Sequence, residues 1–128
     1  MPTDLVRNKR NAMNFYDMAF NQNKPEEAIE KFAGAGYKQH NPKVPDGKQG
    51  FIDYFNKLAK EYPGKHVVFK RIIAEGDFVV FHCYQTWPGD KDWASIDIFR
   101  CDENGKVIEH WDVLQEIPDT SANENTMF

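Results

Sequence analysis

Three short turn signals divide the second half of the chain into four segments that are rich in Val, Ile, Phe and Trp. Each signal combines Gly with Asp, Asn or Pro, and they lie at residues 75–77, 88–90 and 102–105. Short turns of this kind join neighbouring antiparallel strands. The spacing therefore predicts consecutive hairpins in one antiparallel sheet, with strands at residues 66–74, 78–87, 93–101 and 106–117.

The first half of the chain instead shows apolar residues at helical spacing. Asp4 suits the N-cap of a first helix, and Pro25 suits the first turn of a second. Three helices followed by hairpin strands indicate an α+β fold, with the helices packed on one face of the sheet. The predicted helices cover residues 5–20, 25–33 and 51–62, and a short extended piece covers residues 37–41.

The length of 128 residues indicates one domain over residues 1–128. The net charge is −4 and no basic run exceeds Lys9-Arg10, which argues against nucleic acid as a partner. The sequence shows neither a signal-peptide core at its start nor an apolar run of membrane-spanning length. Cys83 and Cys101 lack the spacing of a metal-binding pair. These features predict reduced thiols and a cytoplasmic protein.

Apolar side chains occupy both faces of the predicted strands. Val79 and Phe81 point to one face, and Phe78 and Val80 point to the other. One face packs against the helices, whereas the other would be exposed in a monomer. We therefore expect a homodimer through the sheet. The tail, residues 121–128, is polar but ends in two apolar side chains, and we expect it to dock on a partner subunit or near the pocket.

Four titratable side chains are expected to share one face of three adjacent strands. A two-residue turn after the second strand would place His82 opposite Asp97. The hairpin at residues 102–105 places Asp97 opposite His110 or Asp112, depending on its loop length. Ionisable groups inside an apolar wall are costly unless they are paired or used. The apolar residues predicted on the same face are Phe78, Val80, Trp93, Phe99 and Leu114.

Three interpretations of this cluster stay open. The first is a buried His–Asp hydrogen-bond network that only fixes the register of the strands. The second is an acid–base pocket, since the imidazole of His titrates near neutral pH. The third is a metal site, since His and carboxylates bind zinc or iron, although no HxH or HExxH spacing occurs.

Three phrases of the sequence resemble the SnoaL-like group of the nuclear transport factor 2-like superfamily. They are Tyr-Lys-Gln-His-Asn-Pro at residues 37–42, Ile-Asp-Ile-Phe-Arg at residues 96–100 and Asn-Gly-Lys-Val-Ile-Glu-His-Trp-Asp at residues 104–112. Together with the order of elements, the resemblance covers nearly the whole chain. It implies a cone-shaped (cystatin-like) fold, in which a curved antiparallel sheet and three N-terminal helices enclose a pocket. The group includes polyketide cyclases that perform aldol chemistry, and the fold alone decides no function.

The strand that reads Ile-Asp-Ile-Phe-Arg is also similar to a strand of ketosteroid isomerase. This resemblance implies that Tyr16 and a protonated Asp97 donate hydrogen bonds to an oxyanion. It places His40 at the position of the catalytic base. It also implies that His110 and Asp112 face the pocket.

Two departures from these relatives matter. His40 stands where the isomerase has an Asp base, and Asn41 takes the same position if the match contains a gap. Gln115 lies four residues after Trp111, where the polyketide cyclases resemble one another in having an acid. An assignment as a cyclase therefore has weak support from this residue.

The first functional hypothesis is an enzyme that acts on an enolisable carbonyl compound by acid–base chemistry, through isomerisation, aldol-type cyclisation or dehydration. It requires neither a metal nor an organic cofactor. Its predicted catalytic residues are His40, Asp97, His110, Asp112 and Tyr16. Its predicted substrate-binding residues are His82, Asn41, Trp93, Phe99, Phe51 and Tyr54. The alternative hypothesis is a non-catalytic ligand-binding or dimeric docking module.

Overall fold

The computed structural model describes residues 4–128, which form three helices and a five-stranded sheet. The first strand lies between the second and third helices, and the other four strands follow the third helix. The predicted α+β class and the order of elements are confirmed. None of the helices in this range combines the length and apolar character needed to cross a membrane. The elements are α1 (Leu5–Phe20), α2 (Pro25–Phe32), β1 (Ala33–Gln39), α3 (Gly47–Glu61), β2 (His66–Glu75), β3 (Phe78–Thr86), β4 (Trp93–Cys101) and β5 (Val107–Glu116).

The five strands form one mixed sheet in the order β1-β5-β4-β3-β2. Strands β2 to β5 are joined as antiparallel hairpins, as predicted. Strand β1 pairs in parallel with β5 at one edge, which the hairpin pattern did not predict. Parallel pairing needs a long connection, and α3 and the hairpins β2 to β4 supply it here.

Strand β1 begins directly after α2, earlier than the predicted extended piece at residues 37–41, so Gly34 and Gly36 lie within the strand. The close approach of β1 to its neighbour explains why Gly34 is there. A Cβ atom at this position would lie 2.5 Å from Ile108 Cγ2 and 2.8 Å from Asp102 Oδ2. A residue with a side chain at position 34 would therefore push β1 away from β5.

The strand register decides which polar residues meet. Asp97 lies opposite Asp112, and Phe99 lies opposite His110. His82 lies opposite Ile96 and not opposite Asp97. The β3–β4 connection spans residues 87–92 instead of two residues, which shifts the expected pairing by one position. Because side chains alternate between faces, the shift turns His82 to the face that points away from the helices.

The core lies between the three helices and the inner face of the sheet. Helix α1 starts at the N-cap Asp4, whose side chain accepts a hydrogen bond of 2.9 Å from the backbone N–H of Arg7. Its buried face contains Phe15, which is 0% exposed. The Phe15 ring lies 4.9 Å from that of Phe51 and 6.1 Å from that of Phe99. One helix face therefore joins α3 and β4 through aromatic packing.

The outer face of the sheet carries His82 and Tyr84 together with Phe78 and Val80. The predicted placement of His82, Phe78 and Val80 on the face of Asp97 is therefore wrong. The end of the chain folds back onto this outer face, where the Phe128 ring lies 4.9 Å from that of Tyr84 and 5.5 Å from that of His82. The tail thus finds apolar contacts on its own sheet.

The packing of α1 makes a first prediction. Phe15→Ala removes a fully buried ring and should lower the free energy of unfolding by about 3–5 kcal/mol, as measured by urea denaturation. Val6→Ala on the same helix is the control, because Val6 is 69% exposed. This variant should change the free energy of unfolding by no more than about 0.5 kcal/mol. Equal losses in the two variants would contradict the assignment of Phe15 to the core.

Candidate active site

The helices leave a cavity over the inner face of the sheet. Its inner part has a volume of about 40 Å³ and is lined by polar groups of Tyr16, Gln39, His110 and Asp112 among aromatic side chains. Its outer part has a volume of about 470 Å³ and opens to the surface. Asp112 and its neighbours line both parts, so the two parts adjoin.

The walls of the cavity are apolar and aromatic. Phe51 and Leu58 on α3 form one side of the inner part. Tyr62, Trp87 and Trp93 surround the outer part. The Trp87 and Tyr62 rings meet edge to face with their centroids 5.2 Å apart, so the rim is held by packing. A small polar end inside an aromatic mouth is the usual composition of a small-molecule site.

A buried hydrogen bond joins β4 and β5 beneath the cavity. Asp97 is 0% exposed, and its Oδ1 atom lies 2.9 Å from Nε2 of His110. Its second oxygen, Oδ2, accepts a hydrogen bond of 2.9 Å from the Ser95 hydroxyl. Protein groups therefore satisfy both oxygens of Asp97. The resemblance implied that Asp97 is an oxyanion donor in the pocket, whereas this geometry directs it to His110 and Ser95.

The other nitrogen of His110 is bound as well. Nδ1 of His110 lies 2.8 Å from Oε1 of Gln39 at the end of β1. The Phe99 ring packs 4.7 Å from the imidazole and the Tyr16 ring packs 6.2 Å from it. His110 is thus fixed by hydrogen bonds in the plane of its ring and by aromatic rings on its faces.

Asp112 is the carboxylate that faces the cavity. Its Oδ2 atom accepts a hydrogen bond of 3.0 Å from the Asn41 side chain and lies 3.9 Å from Nε2 of His110. Its Oδ1 atom is buried and has no hydrogen-bond partner among residues 4–128. Burial raises the pKa of Asp112 and Asp97 adds to this, while His110 and the bond from Asn41 oppose it. The site thus holds a carboxyl group with one unused oxygen.

Tyr16 lines the inner part of the cavity from α1. Burial raises the pKa of its phenol well above the ordinary value of 10.0, and the carboxylates of Asp97 and Asp112 raise it further. The hydroxyl group of Tyr16 is therefore protonated at neutral pH. A protonated phenol can donate one hydrogen bond to a ligand oxygen.

The structure does not bring His40 to the mouth of the cavity, where it was expected. His40 follows β1 on the outer side, where its ring stacks on Trp111 with a centroid distance of 4.7 Å. Its Nε2 atom lies 2.7 Å from Oε2 of Glu109. The next residue, Asn41, lines both parts of the cavity. The alternation of side chains at this strand end thus gives Asn41 the place expected of His40.

His82 also lies outside the cavity. It was expected to bind substrate, but its Nδ1 atom lies 3.0 Å from the Arg71 guanidinium on the outer face. The other predicted substrate-binding residues divide into two groups. Asn41, Phe51 and Tyr54 line the cavity, and Trp93 lies at its rim. Phe99 is buried beneath His110 and supports the site without lining it.

Two residues of the site were missed from the sequence, and both are glutamines. Gln39 binds His110, and Gln85 donates a hydrogen bond of 3.3 Å to Ser95. Gln85 is the polar member of an otherwise apolar inward set on β3, with Phe81 and Cys83, and this signal becomes visible once the register is known.

Three of these side chains also have the composition of a metal site. Asp97, His110 and Asp112 each offer one ligand atom, and these atoms lie within 4.8 Å of one another. A divalent ion could take such a set of one imidazole and two carboxylates. In the arrangement observed, however, His110 Nε2 and Asp97 Oδ1 bond directly to each other. Two of the three side chains are therefore joined by a hydrogen bond, and Asp112 lies 3.9 Å from the imidazole.

Comparison with solved structures shows the fold. The chain is similar to TsrD from Streptomyces laurentii, with 19% identity, a TM-score of 0.73 and coverage of 88% of this chain and 91% of that chain. It is similar to a provisionally named ketosteroid isomerase from Kribbella flavida, with 17% identity, a TM-score of 0.72 and coverage of 94% and 87%. A provisionally named polyketide cyclase from Bacillus cereus gives 25% identity, a TM-score of 0.69 and coverage of 81% and 71%.

These similarities confirm the cone fold that the resemblance implied. The comparison with curated protein sequences gives no match. Residues 12–110, which include the later part of α1, the cavity walls on α3 and the Asp97–His110 pair, match the SnoaL-like domain. The chain therefore belongs to the SnoaL-like family, on the cone fold of the nuclear transport factor 2-like superfamily.

Proposed function

We propose that the cavity is the active site of an enzyme that acts on an enolisable carbonyl compound by acid–base chemistry. The observation that carries this proposal is that a carboxylate with an unpartnered oxygen and a buried phenol line the same cavity. Asp112 offers an oxygen without a protein partner, and Tyr16 offers a phenol that stays protonated. Enolisation needs these two groups, a base for the carbon acid and a donor for the developing oxyanion.

In the proposed reaction, Asp112 removes a proton from the carbon next to the carbonyl group. The electron pair of the broken C–H bond forms the C=C bond of an enolate, and the carbonyl oxygen takes the negative charge. The Tyr16 hydroxyl donates a hydrogen bond to this oxygen. Asp112 then returns its proton to a different carbon in an isomerisation. In an aldol-type closure the enolate carbon attacks a second carbonyl, whose oxygen takes the electron pair of the broken C=O π bond and the proton from Asp112. In a dehydration a β-hydroxyl takes that proton and leaves as water.

The His110–Asp97 pair supports this chemistry from below. His110 Nε2 lies 2.9 Å from Asp97 Oδ1 and 3.9 Å from Asp112 Oδ2. A cationic imidazole at this distance stabilises the ionised form of Asp112, in which it can act as a base. His110 thus counteracts the burial that raises the pKa of Asp112. The proposal assigns the proton transfer to Asp112 and a supporting role to His110.

The dimensions of the cavity restrict the substrate. An inner part of about 40 Å³ admits one small group, such as a carbonyl oxygen with its neighbouring carbon. An outer part of about 470 Å³ with Tyr62, Trp87 and Trp93 around it suits an apolar body of ring size. The fit therefore favours a carbonyl at the end of a compact apolar molecule.

Deuterium exchange tests the proposal without knowledge of the product. A panel of enolisable ketones and aldehydes of ring size is incubated with the protein in D₂O, and mass spectrometry follows the deuterium incorporated next to the carbonyl. We expect at least one compound to exchange faster than in buffer. Binding without exchange for every compound would overturn the proposal and favour the non-catalytic ligand-binding module.

Variants of the two proposed groups give a second prediction. Asp112→Asn should reduce the exchange rate by about 10²–10⁴-fold, since it removes the base. Tyr16→Phe should reduce it by about 10²–10³-fold, since it removes the oxyanion donor. His40→Ala is the control, because His40 lies outside the cavity, and it should leave the rate within about twofold of wild type. A large loss in His40→Ala alone would contradict the assignment.

The raised pKa of Asp112 gives a third prediction, on stability. At pH values between its ordinary pKa of 3.8 and its raised pKa, the folded chain holds a proton that the unfolded chain has released. The contribution of Asp112 to stability is therefore present at low pH and is lost as pH rises through this window. Asp112→Asn lacks this dependence.

The free energy of unfolding of Asp112→Asn minus that of wild type should thus become more positive as pH rises from about 4 to about 7. Urea denaturation across this range measures the difference. Asp119→Asn is the control, since it removes the same charge at an exposed position. A difference for Asp112→Asn that becomes more negative with pH would show that the carboxylate is stabilised by folding.

We also propose that the outer face of the sheet forms a homodimer interface. Ile73, Ile96 and Val113 on this face are 60%, 44% and 76% exposed. Val113→Lys should therefore shift the protein toward a monomer in analytical ultracentrifugation, because a charge in an apolar interface is costly. Val6→Lys on α1 is the control and should leave the assembly unchanged. A wild-type protein that is monomeric at high concentration would contradict the proposal.

A further inference from the structure

One continuous chain of hydrogen bonds crosses four strands beneath the cavity. Its five bonds measure 3.1, 3.3, 2.9, 2.9 and 2.8 Å in order. The central members are no more than 4% exposed. The side chains in order are Trp87, Gln85 and Ser95, then Asp97, His110 and Gln39.

The Trp87 end fixes the direction of the first three bonds. An indole N–H only donates, so Gln85 must turn its Oε1 atom to Trp87 and its amide Nε2 to Ser95. The amide N–H also only donates, so the Ser95 oxygen accepts it. The Ser95 hydrogen is then free to point to Oδ2 of Asp97. The position left for a proton on Asp97 is therefore Oδ1.

The Gln39 end fixes the other direction. The backbone N–H groups of Asn41 and His40 lie 3.0 and 3.1 Å from Oε1 of Gln39. Backbone N–H groups can only donate, so this atom is the amide oxygen and not the nitrogen. His110 Nδ1 lies 2.8 Å from the same oxygen and must itself be the donor. Nδ1 of His110 therefore carries a hydrogen.

We propose that Gln39 is a positioning residue that holds His110 with a hydrogen on Nδ1. In this series of hydrogen bonds, the one proton that remains free to move then lies between His110 Nε2 and Asp97 Oδ1. The pair exists either as imidazolium and carboxylate or as two neutral groups, and its net charge is the same in both. Proton transfer to or from the imidazole passes through Nε2 alone.

The surroundings of His110 agree with this assignment. The titratable groups that face it are Asp97 from β4, Asp112 from β5 and Tyr16 from α1. Both carboxylates lie on the Nε2 side of the ring, and Gln39 lies on the Nδ1 side. A neutral amide oxygen therefore orients the ring without adding a charge, and the charged groups meet at Nε2.

Nitrogen NMR of protein with ¹⁵N-labelled histidine tests the inference directly. Wild-type His110 should show a protonated Nδ1 at every pH at which the protein is folded. The signals of the other three histidines are assigned with His40→Ala, His66→Ala and His82→Ala. An unprotonated Nδ1 in wild-type His110 would overturn the inference.

Two substitutions of Gln39 separate its positioning role from a packing role. Gln39→Leu removes the acceptor, so Nδ1 should lose its hydrogen to solvent, while the proton between Nε2 and Asp97 stays on Nε2, where Asp97 still accepts. Gln39→Glu keeps an acceptor oxygen and should retain the wild-type signature. Gln115→Leu on the exposed part of β5 is the control and should change nothing. A protonated Nδ1 in Gln39→Leu would show that Gln39 does not set the tautomer.

The measurement also stands if Gln39→Leu does not fold, because the wild-type and Gln39→Glu spectra still decide the position of the hydrogen. An activity arm rests on the proposed function: for the compound that exchanges, Gln39→Leu should lower kcat at least about tenfold and leave KM within about twofold. A KM effect alone would contradict a positioning role in that reaction. Absence of exchange in wild type overturns the proposed function and leaves the NMR inference intact.

Discussion

The hydrogen bond between Asp97 and His110 is the contact on which the inner face of the sheet depends. An unpaired carboxylate in a protein interior costs several kcal/mol, so a side chain as fully buried as Asp97 needs partners for both oxygens. His110 and Ser95 supply them at 2.9 Å each. A slip of β4 by one residue would turn Asp97 outward and bury Ile98 in its place. The polar network and the register of β4 on β5 thus require each other.

The aromatic core gives these polar groups their unusual properties. Phe99 and Tyr16 cover the faces of His110, and the low dielectric that results strengthens its hydrogen bonds and raises the pKa of Asp112 and of Tyr16. The outer face offers a contrast within the same molecule. There His40 bonds to Glu109 at 2.7 Å, but the His40 side chain is 33% exposed and solvent screens the pair. Similar residue types therefore form a buried network on one face and a solvent-screened pair on the other.

The local parts of this fold could be predicted from the sequence, and the long-range parts could not. Helix α1 and the hairpins follow from apolar periodicity and from turn residues, which act within a few positions. The place of His82 depended on the length of one connection. Gln85 pairs with Trp93, and the odd number of residues between this last pair, instead of the expected two, changed the face of His82. Strand β1 is rich in glycine and pairs in parallel with a strand far along the chain, so periodicity gives little sign of it.

The candidate site shows the same division between local and long-range information. Asp97, His110 and Asp112 were predicted together because they lie on two strands joined by one hairpin. Gln39 was missed because its partner His110 lies 71 positions away, and no pattern within β1 marks it. Tyr16 was found only through a family resemblance, since a tyrosine on an apolar helix face is usually a core residue.

The two main interpretations of the polar cluster, a structural network and an acid–base pocket, apply to different members of it. The side-chain oxygens that face the network all have hydrogen-bond partners in Asp97, Ser95 and Gln39. These hydrogen bonds hold the strands together and orient the imidazole of His110. Asp112 keeps an oxygen without a partner among the described residues, and both Asp112 and the Tyr16 phenol line the cavity. A group whose hydrogen bonds are all made within the protein gains nothing from a ligand. A buried group with an unused hydrogen-bonding atom gains a partner when a ligand binds. The members with complete hydrogen bonding thus keep the imidazole of His110 and the sheet rigid. This rigidity holds Asp112 and Tyr16 where a ligand can form hydrogen bonds with them.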